Sequence, residues 1–179
     1  MCFCKTNRGE VARGSAWAMV TGASLGIGRQ YAERLAELGY NLLLVDVRED
    51  IVREAEIISH AHRVKCVTKV LDLATTEAAH RLHDATVAEG YTFDVIINNA
   101  GISTVTLLTD TTNEQWQQLL ATNLSAPFYC CRLALPHMIH EKAGKIINIS
   151  SVWGVCGASM EVAYSATKGA IISMTKSAA

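Results

Sequence analysis

Short apolar runs, β-branched or leucine-rich, alternate along this chain with longer stretches whose apolar positions recur at helical spacing. Ala16–Thr21 reads as a buried strand, and a helix from about Ile27 to Leu38 follows it, stopped at Gly39. Asn41–Val45 predicts a second strand, Ile51–His60 a second helix, and Val64–Val70 a third strand. A third helix covers about Thr76 to Glu89, and Phe93–Ile97 supplies a fourth strand. A long helical stretch runs from about Asn113 to His140. It opens on Thr111-Thr112-Asn113-Glu114, a T-x-x-E capping-box spacing, and Pro127 should bend it or divide it. Lys145–Ile149 is the fifth strand. A last helix starts near Ala163 and meets no stop signal before Ala179, so the pattern reads as cut off in mid-helix. Strands separated by helices of this length imply βαβ units: a doubly wound parallel sheet with helices on both faces.

Composition narrows the function classes. Sixteen basic and 17 acidic side chains leave a formal charge of −1, without the basic excess that phosphate-bound modules carry, so no nucleic-acid partner is expected. Half the residues are apolar and 18% are charged, which fits one domain with a sizeable core and not a disordered chain. No apolar run is long enough for a membrane span, and the first residues do not form a signal peptide. A cytoplasmic protein is therefore expected, with residues 1–15 as a poorly ordered extension and 16–179 as the domain. Cys2, Cys4, Cys66, Cys130, Cys131 and Cys156 share no repeated CxxC spacing and read as reduced, buried small residues or bystanders. The close histidine pairs His60/His62, His80/His83 and His137/His140 lack a completing thiolate or carboxylate set, so no metal is expected and they read as solvated helix surface.

Two groups of residues carry chemistry. Immediately after the first strand, Thr21-Gly22-Ala23-Ser24-Leu25-Gly26-Ile27-Gly28 leads straight into a helix. A dinucleotide pyrophosphate needs backbone N–H groups at a helix N-terminus and residues without Cβ where chain and ligand touch. On that logic Gly22 makes the turn, Gly26 admits the pyrophosphate and Gly28 lets the helix approach the strand. Asp46 ends the second strand 18 residues after Gly28, where an acid can hold the adenosine ribose hydroxyls and repel a 2′-phosphate. That favours NAD over NADP. Arg48 and Arg53 nearby argue the other way and keep NADP possible.

The second group is Ser151 with Tyr164 and Lys168. Tyr164-Ser165-Ala166-Thr167-Lys168 places the phenol and the ammonium on one helix face, and a fixed ammonium favours phenolate, as an acid–base group requires. The pair follows the fifth strand, at the carboxyl edge where ligands bind in open α/β sheets.

In this order the pieces resemble the short-chain dehydrogenase/reductase family. The matching residues are the glycine loop, Asp72 after the third strand, Asn98-Asn99-Ala100-Gly101 after the fourth, Asn123 in the long helix, Ser150-Ser151 after the fifth, and Tyr164 with Lys168. The resemblance implies a Rossmann-type fold and hydride transfer between a nicotinamide cofactor and a secondary alcohol or ketone, a small-molecule substrate. It implies a catalytic set of Asn123, Ser151, Tyr164 and Lys168. Tyr164 would exchange the proton with the substrate oxygen. Ser151, 13 residues before Tyr164, would bond the same oxygen, the spacing selecting it over Ser150. Lys168 would act on the tyrosine and bond the nicotinamide ribose, and Asn123 would hold a relay water. The implied cofactor-binding set is Gly22, Ser24, Leu25, Gly26, Ile27, Gly28, Asp46, Asp72, Leu73, Asn99, Ala100, Gly101, Tyr164 and Lys168.

Relative to that family the chain lacks two further strands, an intervening helix and a closing loop, which would leave the fifth strand at an open edge. A truncated cofactor- or partner-binding module without turnover is thus the alternative expectation. The family resemblance also implies a homodimer or homotetramer of the full-length protein, assembled through the long helix and the last one. Val152-Trp153-Gly154-Val155-Cys156-Gly157 suggests an apolar wall to the substrate pocket.

Overall fold

The computed structural model describes residues 16–179, apart from the side chains of 76, 79 and 83. The predicted extension 1–15, with Cys2 and Cys4, and the His83 side chain lie outside the described residues.

Five parallel strands, Trp17–Thr21 (β1), Asn41–Asp46 (β2), Cys66–Val70 (β3), Val95–Asn98 (β4) and Lys145–Asn148 (β5), form one sheet in the order β3-β2-β1-β4-β5. Helices Gly26–Glu37 (α1), Ile51–His62 (α2) and Thr76–Ala88 (α3) connect the first four. Period-2 side-chain alternation sends successive strand residues to opposite faces, and both faces are covered. Ala18, Val20, Leu42, Leu44, Val95 and Ile97 pack with Ala32 and Leu35 of α1 and Ile51 and Ile58 of α2. Met19, Leu43, Val45 and Ile96 pack on the other side with Leu82 of α3 and with Cys130, Ala134 and Met138. β2 is buried along its whole length, which is why its sequence is a continuous apolar run and not an alternating one.

The long helical stretch is divided, as Pro127 suggested, but the break precedes the proline. Helix Asn113–Leu120 (α4) passes through a π-helical turn, Ala121–Ser125, into helix Ala126–His140 (α5). Pro127 stands in the first turn of α5, where its missing N–H is tolerated, and the widened turn before it absorbs the register change. Pro136 sits inside α5 without ending it. The capping box is one residue later than the spacing indicated. Thr112, not Thr111, accepts from the Gln115 N–H, and the Gln115 side chain returns to the Thr112 N–H. Thr111 instead donates to the Leu107 carbonyl.

After β5 come a short helix that the pattern did not reveal, Trp153–Cys156 (α6), and the last helix, Val162–Ser177 (α7). β5 is the edge strand, alternately exposed and half-buried. Beside it an apolar groove of about 730 Å³ opens between α5 and α7, lined by Leu135, Met138, Ile146 and Met174 among others.

Cys130 and Cys131 are buried as expected, and burial pushes the Cys130 thiol up to about 12. Cys66 is half-buried, its thiol raised to about 11 by desolvation, whereas Cys156 is exposed and falls to the bystander reading. The histidines fall to separate local partners: His62 to Glu33, His137 to Asp94 and His140 to Glu141.

Candidate functional site

The strand order reverses between β1 and β4, and the two groups singled out in the sequence converge on the carboxyl edge at that crevice. The glycines show three distinct requirements. Gly22 has φ +64°, and a Cβ there would stand 2.9 Å from the Ala100 Cα and the Asn99 amide nitrogen. Gly28 needs the absence of a side chain most, since a Cβ would lie 2.0 Å from the Gly22 carbonyl oxygen. Gly26, at φ +53°, faces open space, with nothing within 4 Å of where its Cβ would be. A turn glycine, a packing glycine and an open glycine are what a cradle for a phosphate requires.

Helix α1 begins without a side-chain cap and without an acid in its first turn, so no side chain occupies its opening N–H groups. Leu25 and Ile27 are exposed there, while Ser24 is buried beneath them. Thr21, which the sequence reading assigned no role, holds the crevice together. Its hydroxyl oxygen accepts from the Asn99 and Ala100 N–H groups, and the Asn99 side chain donates to the Thr21 and Gly22 carbonyls. The signal was present in the sequence: a hydroxyl residue ends β1 immediately before the glycine turn, but its partner lies 78 positions away.

Asp46 is buried at the tip of β2. One carboxylate oxygen accepts from both the N–H and the hydroxyl of Ser24, at 2.9 and 2.7 Å, and the other accepts the Arg48 N–H at 3.1 Å. The Arg48 guanidinium is turned away to Asp50. That pair holds the Asp50 carboxyl below its ordinary range. Asp46, Asp72, Leu73, Ala100, Gly101 and Gly22 share one recess of about 150 Å³ with Thr122 and Gln118 from α4 and the π turn. Leu73 is buried; Asp72 is exposed and accepts from the Ala74 N–H.

On the β5 side, Asn123 is buried in the π turn. Its amide oxygen accepts the Ile102 N–H, and its two N–H groups go to the Ile102 carbonyl and the Thr167 hydroxyl. Both donors are therefore engaged by protein, leaving one lone pair of the oxygen for anything else. A Cβ on Gly101 would lie 3.3 Å from both the Asn123 amide oxygen and the Lys168 ammonium, which places these two side by side over the glycine.

Lys168 is buried and donates to the Ile149 carbonyl at 2.8 Å, with its Nζ 5.7 Å from the Tyr164 ring centroid. Burial lowers its pKa from the ordinary lysine value, with no carboxylate beside it to compensate. The charged form therefore costs stability in full below the folded pKa, and the cost fades as pH rises towards the unfolded value of about 10.5. Urea titrations of Lys168→Met against the parent chain are expected to show the parent gaining stability relative to the variant as pH rises through the alkaline range.

The two serines separate cleanly. Ser150 donates its hydroxyl to the Lys168 carbonyl, whereas Ser151 accepts the Trp153 N–H and keeps its own proton free. Among the described residues, the half-buried Tyr164 makes no hydrogen bond through its hydroxyl; its carbonyl accepts from Thr167. Thr167 thus links Asn123 to Tyr164, a role that a residue inside Y-x-x-x-K does not announce. Asn98, buried, bonds Asn148 across the β4–β5 register pair, and Asn148 donates on to Thr175 of α7.

The sheet order and the crevice define a Rossmann-type nucleotide-binding α/β protein. The chain belongs to the short chain dehydrogenase family of oxidoreductases, whose profile matches residues 16–179. It is 36% identical over 167 residues to the 3-oxoacyl-[acyl-carrier-protein] reductase FabG of Staphylococcus aureus, covering 90% of this chain and 66% of that protein. It is 38% identical over 161 residues to the uncharacterized oxidoreductase YmfI of Bacillus subtilis, covering 89% and 65%. The chain thus spans about two thirds of the length of these relatives.

Among solved structures, a metagenomic short-chain oxidoreductase in complex with NADP superposes with a TM-score of 0.87 at 32% identity, over 93% of this chain and 75% of that one. The bulky-bulky ketone specific alcohol dehydrogenase of Comamonas testosteroni gives 0.84 at 26%, over 90% and 65%. No helix among the described residues is long and apolar enough to cross a membrane.

Proposed function

We propose that residues 16–179 bind a nicotinamide dinucleotide along the carboxyl edge of the sheet and carry the acid–base residues for interconverting a secondary alcohol and a ketone. The observation that supports this reading is that Gly101, which borders the recess shared with Gly22 and Asp46, also lies beside the Lys168 ammonium, which in turn stands over the Tyr164 ring. The Gly26 opening and the uncapped start of α1 suit a diphosphate, and the recess beside Asp46 and Asp72 suits the adenosine end. When bound, the cofactor supplies or accepts the hydride.

The chain's own residues do the rest. Ser151 directs its free hydroxyl proton to the substrate oxygen and holds it. Tyr164 donates its proton to that oxygen in reduction and removes it in oxidation. The Lys168 ammonium, over the phenol ring, stabilises the negative charge that the oxygen carries when the proton leaves. Asn123 fixes Ile102 and Thr167, so that Gly101 and Tyr164 keep their places on either side of Lys168.

The preferred cofactor under this reading is NAD. Asp46 is a carboxylate at the ribose end, and Arg48, which would otherwise serve a 2′-phosphate, is occupied by Asp50. The family neighbour described with NADP makes the comparison decisive to run. NADH is expected to bind at least tenfold more tightly than NADPH by fluorescence titration, and Asp46→Ala to narrow or reverse that ratio. Tighter binding of NADPH by the parent chain would overturn the preference, and no binding of either would overturn the function.

A further inference from the structure

Two loops rise from the carboxyl edge on the Tyr164 side, one following β4 and one following β5. They are laced together: the Thr106 N–H donates to the Met160 carbonyl at 2.8 Å, and the Ser103 hydroxyl to the Glu161 carboxylate at 3.1 Å. Both present apolar side chains to solvent. Val105, Leu107 and Leu108 are exposed on the first, and Val152, Trp153 and Val155 on the second, directly after Ser151. Gly154 explains the orientation of the second loop. A Cβ there would lie 2.6 Å from the Lys168 carbonyl carbon, so this side of α6 is pressed onto α7. Val152, Trp153 and Val155 are left outward on the turn that carries Ser151.

The rim is poor in positive charge. Neither Asn99–Cys131 nor Ile146–Thr167 contains a lysine, arginine or histidine. Among the described residues, the cation at the site is Lys168, which is buried and bonded to the Ile149 carbonyl. A carboxylate or phosphate on the substrate would therefore lose its hydration without a counter-charge from either loop. Three hydroxyls of the first loop are engaged: Ser103 with Glu161, Thr106 with Thr111, and Thr109 with Asp110. The exposed side chains of Val105, Leu107, Leu108, Val152, Trp153 and Val155 make the rim largely apolar, and covering them favours an apolar ligand.

We infer that the substrate presented to Tyr164 is an uncharged, apolar ketone or its alcohol, and that Trp153 and Val155 select it. This rests on the function proposed above, and the two are tested by separate signals. Three ketones on one six-membered ring isolate polarity: cyclohexanone, 4-oxocyclohexanecarboxylate and a pentahydroxycyclohexanone. Each is titrated into the chain, with and without NADH, and followed by tryptophan fluorescence; NADH affinity is measured independently.

Cyclohexanone is expected to give a saturable change that Trp153→Phe removes, with an apparent Kd at least tenfold below those of the other two rings. Val155→Asp, an exposed substitution that leaves the fold intact, is expected to raise that Kd at least fivefold without altering NADH affinity. The inference fails if the charged or hydroxylated ring binds as tightly, if Val155→Asp changes nothing, or if NADH binds while no ketone does. It also fails if the Trp153 signal follows protein concentration and not ketone, which would assign the rim to a second copy of the chain. Loss of NADH binding alone strikes the proposed function and leaves the ring selectivity still readable.

Discussion

Tyr164→Phe is expected to lower ketone reduction by two to four orders of magnitude while leaving NADH affinity within about threefold. The substitution removes one oxygen that, among the described residues, has no partner, and it keeps the ring beneath the Lys168 ammonium. Nothing in the packing of α7 depends on that hydroxyl, so a Tm within about 2 °C of the parent is expected. The check is a pair of measurements on the same preparation: NADH titration by fluorescence and steady-state NADH consumption with cyclohexanone. Normal turnover in the variant would remove Tyr164 from proton transfer. A parent chain that binds NADH but consumes none would favour a binding module over an enzyme.

The second large effect comes from the glycine loop, and there two alanines should separate fold from binding. In Gly28→Ala the new methyl meets a backbone carbonyl at 2.0 Å, and α1 must move away from β1 to admit it. Such overpacking costs about 2–3 kcal/mol, a fall of roughly 5–10 °C in Tm, and NADH binding is lost with the cradle. Gly26→Ala has no steric neighbour and bears only the cost of a positive φ, about 1 kcal/mol. Its methyl would nevertheless occupy the opening left for the diphosphate, so NADH affinity is expected to drop more than tenfold with a small change in Tm. Thermal melts and NADH titrations of the two variants decide the matter. Unchanged affinity in Gly26→Ala would mean that this opening does not face the cofactor.

β2 was legible because a strand buried on both faces must be apolar throughout, and its bounds moved by one residue only, to include Asp46. The division of the long helix was legible from Pro127, yet the π turn that performs it was not, since it has no composition of its own. The capping box slipped by one residue because two adjacent threonines both precede acceptable partners, and only the backbone selects Thr112 with Gln115. The four-residue α6 fell below any periodic signal.

At the site, spacing placed Tyr164 and Lys168 on one face and preferred Ser151 to Ser150. In the structure the Ser150 hydroxyl proton is committed to the Lys168 carbonyl, and that of Ser151 is not. The NAD preference rested on Asp46 against two arginines, and the Arg48–Asp50 pair weakens one of those counter-arguments. Asn123 proved more heavily engaged than a water-holding role implies, with both amide donors bound to Ile102 and Thr167.

Strand and helix order, the glycine turn and the residue types at the carboxyl edge follow from the sequence alone, because hydrophobic period and backbone sterics act over a few residues. Which groups finally touch was decided by tertiary structure. Thr21 meets Asn99 across 78 positions, Asn123 meets Thr167 across 44, and Gly101 opens the space that Asn123 and Lys168 flank. Those contacts exist because parallel strands bring distant loops to one edge, and no local pattern encodes the distance between them.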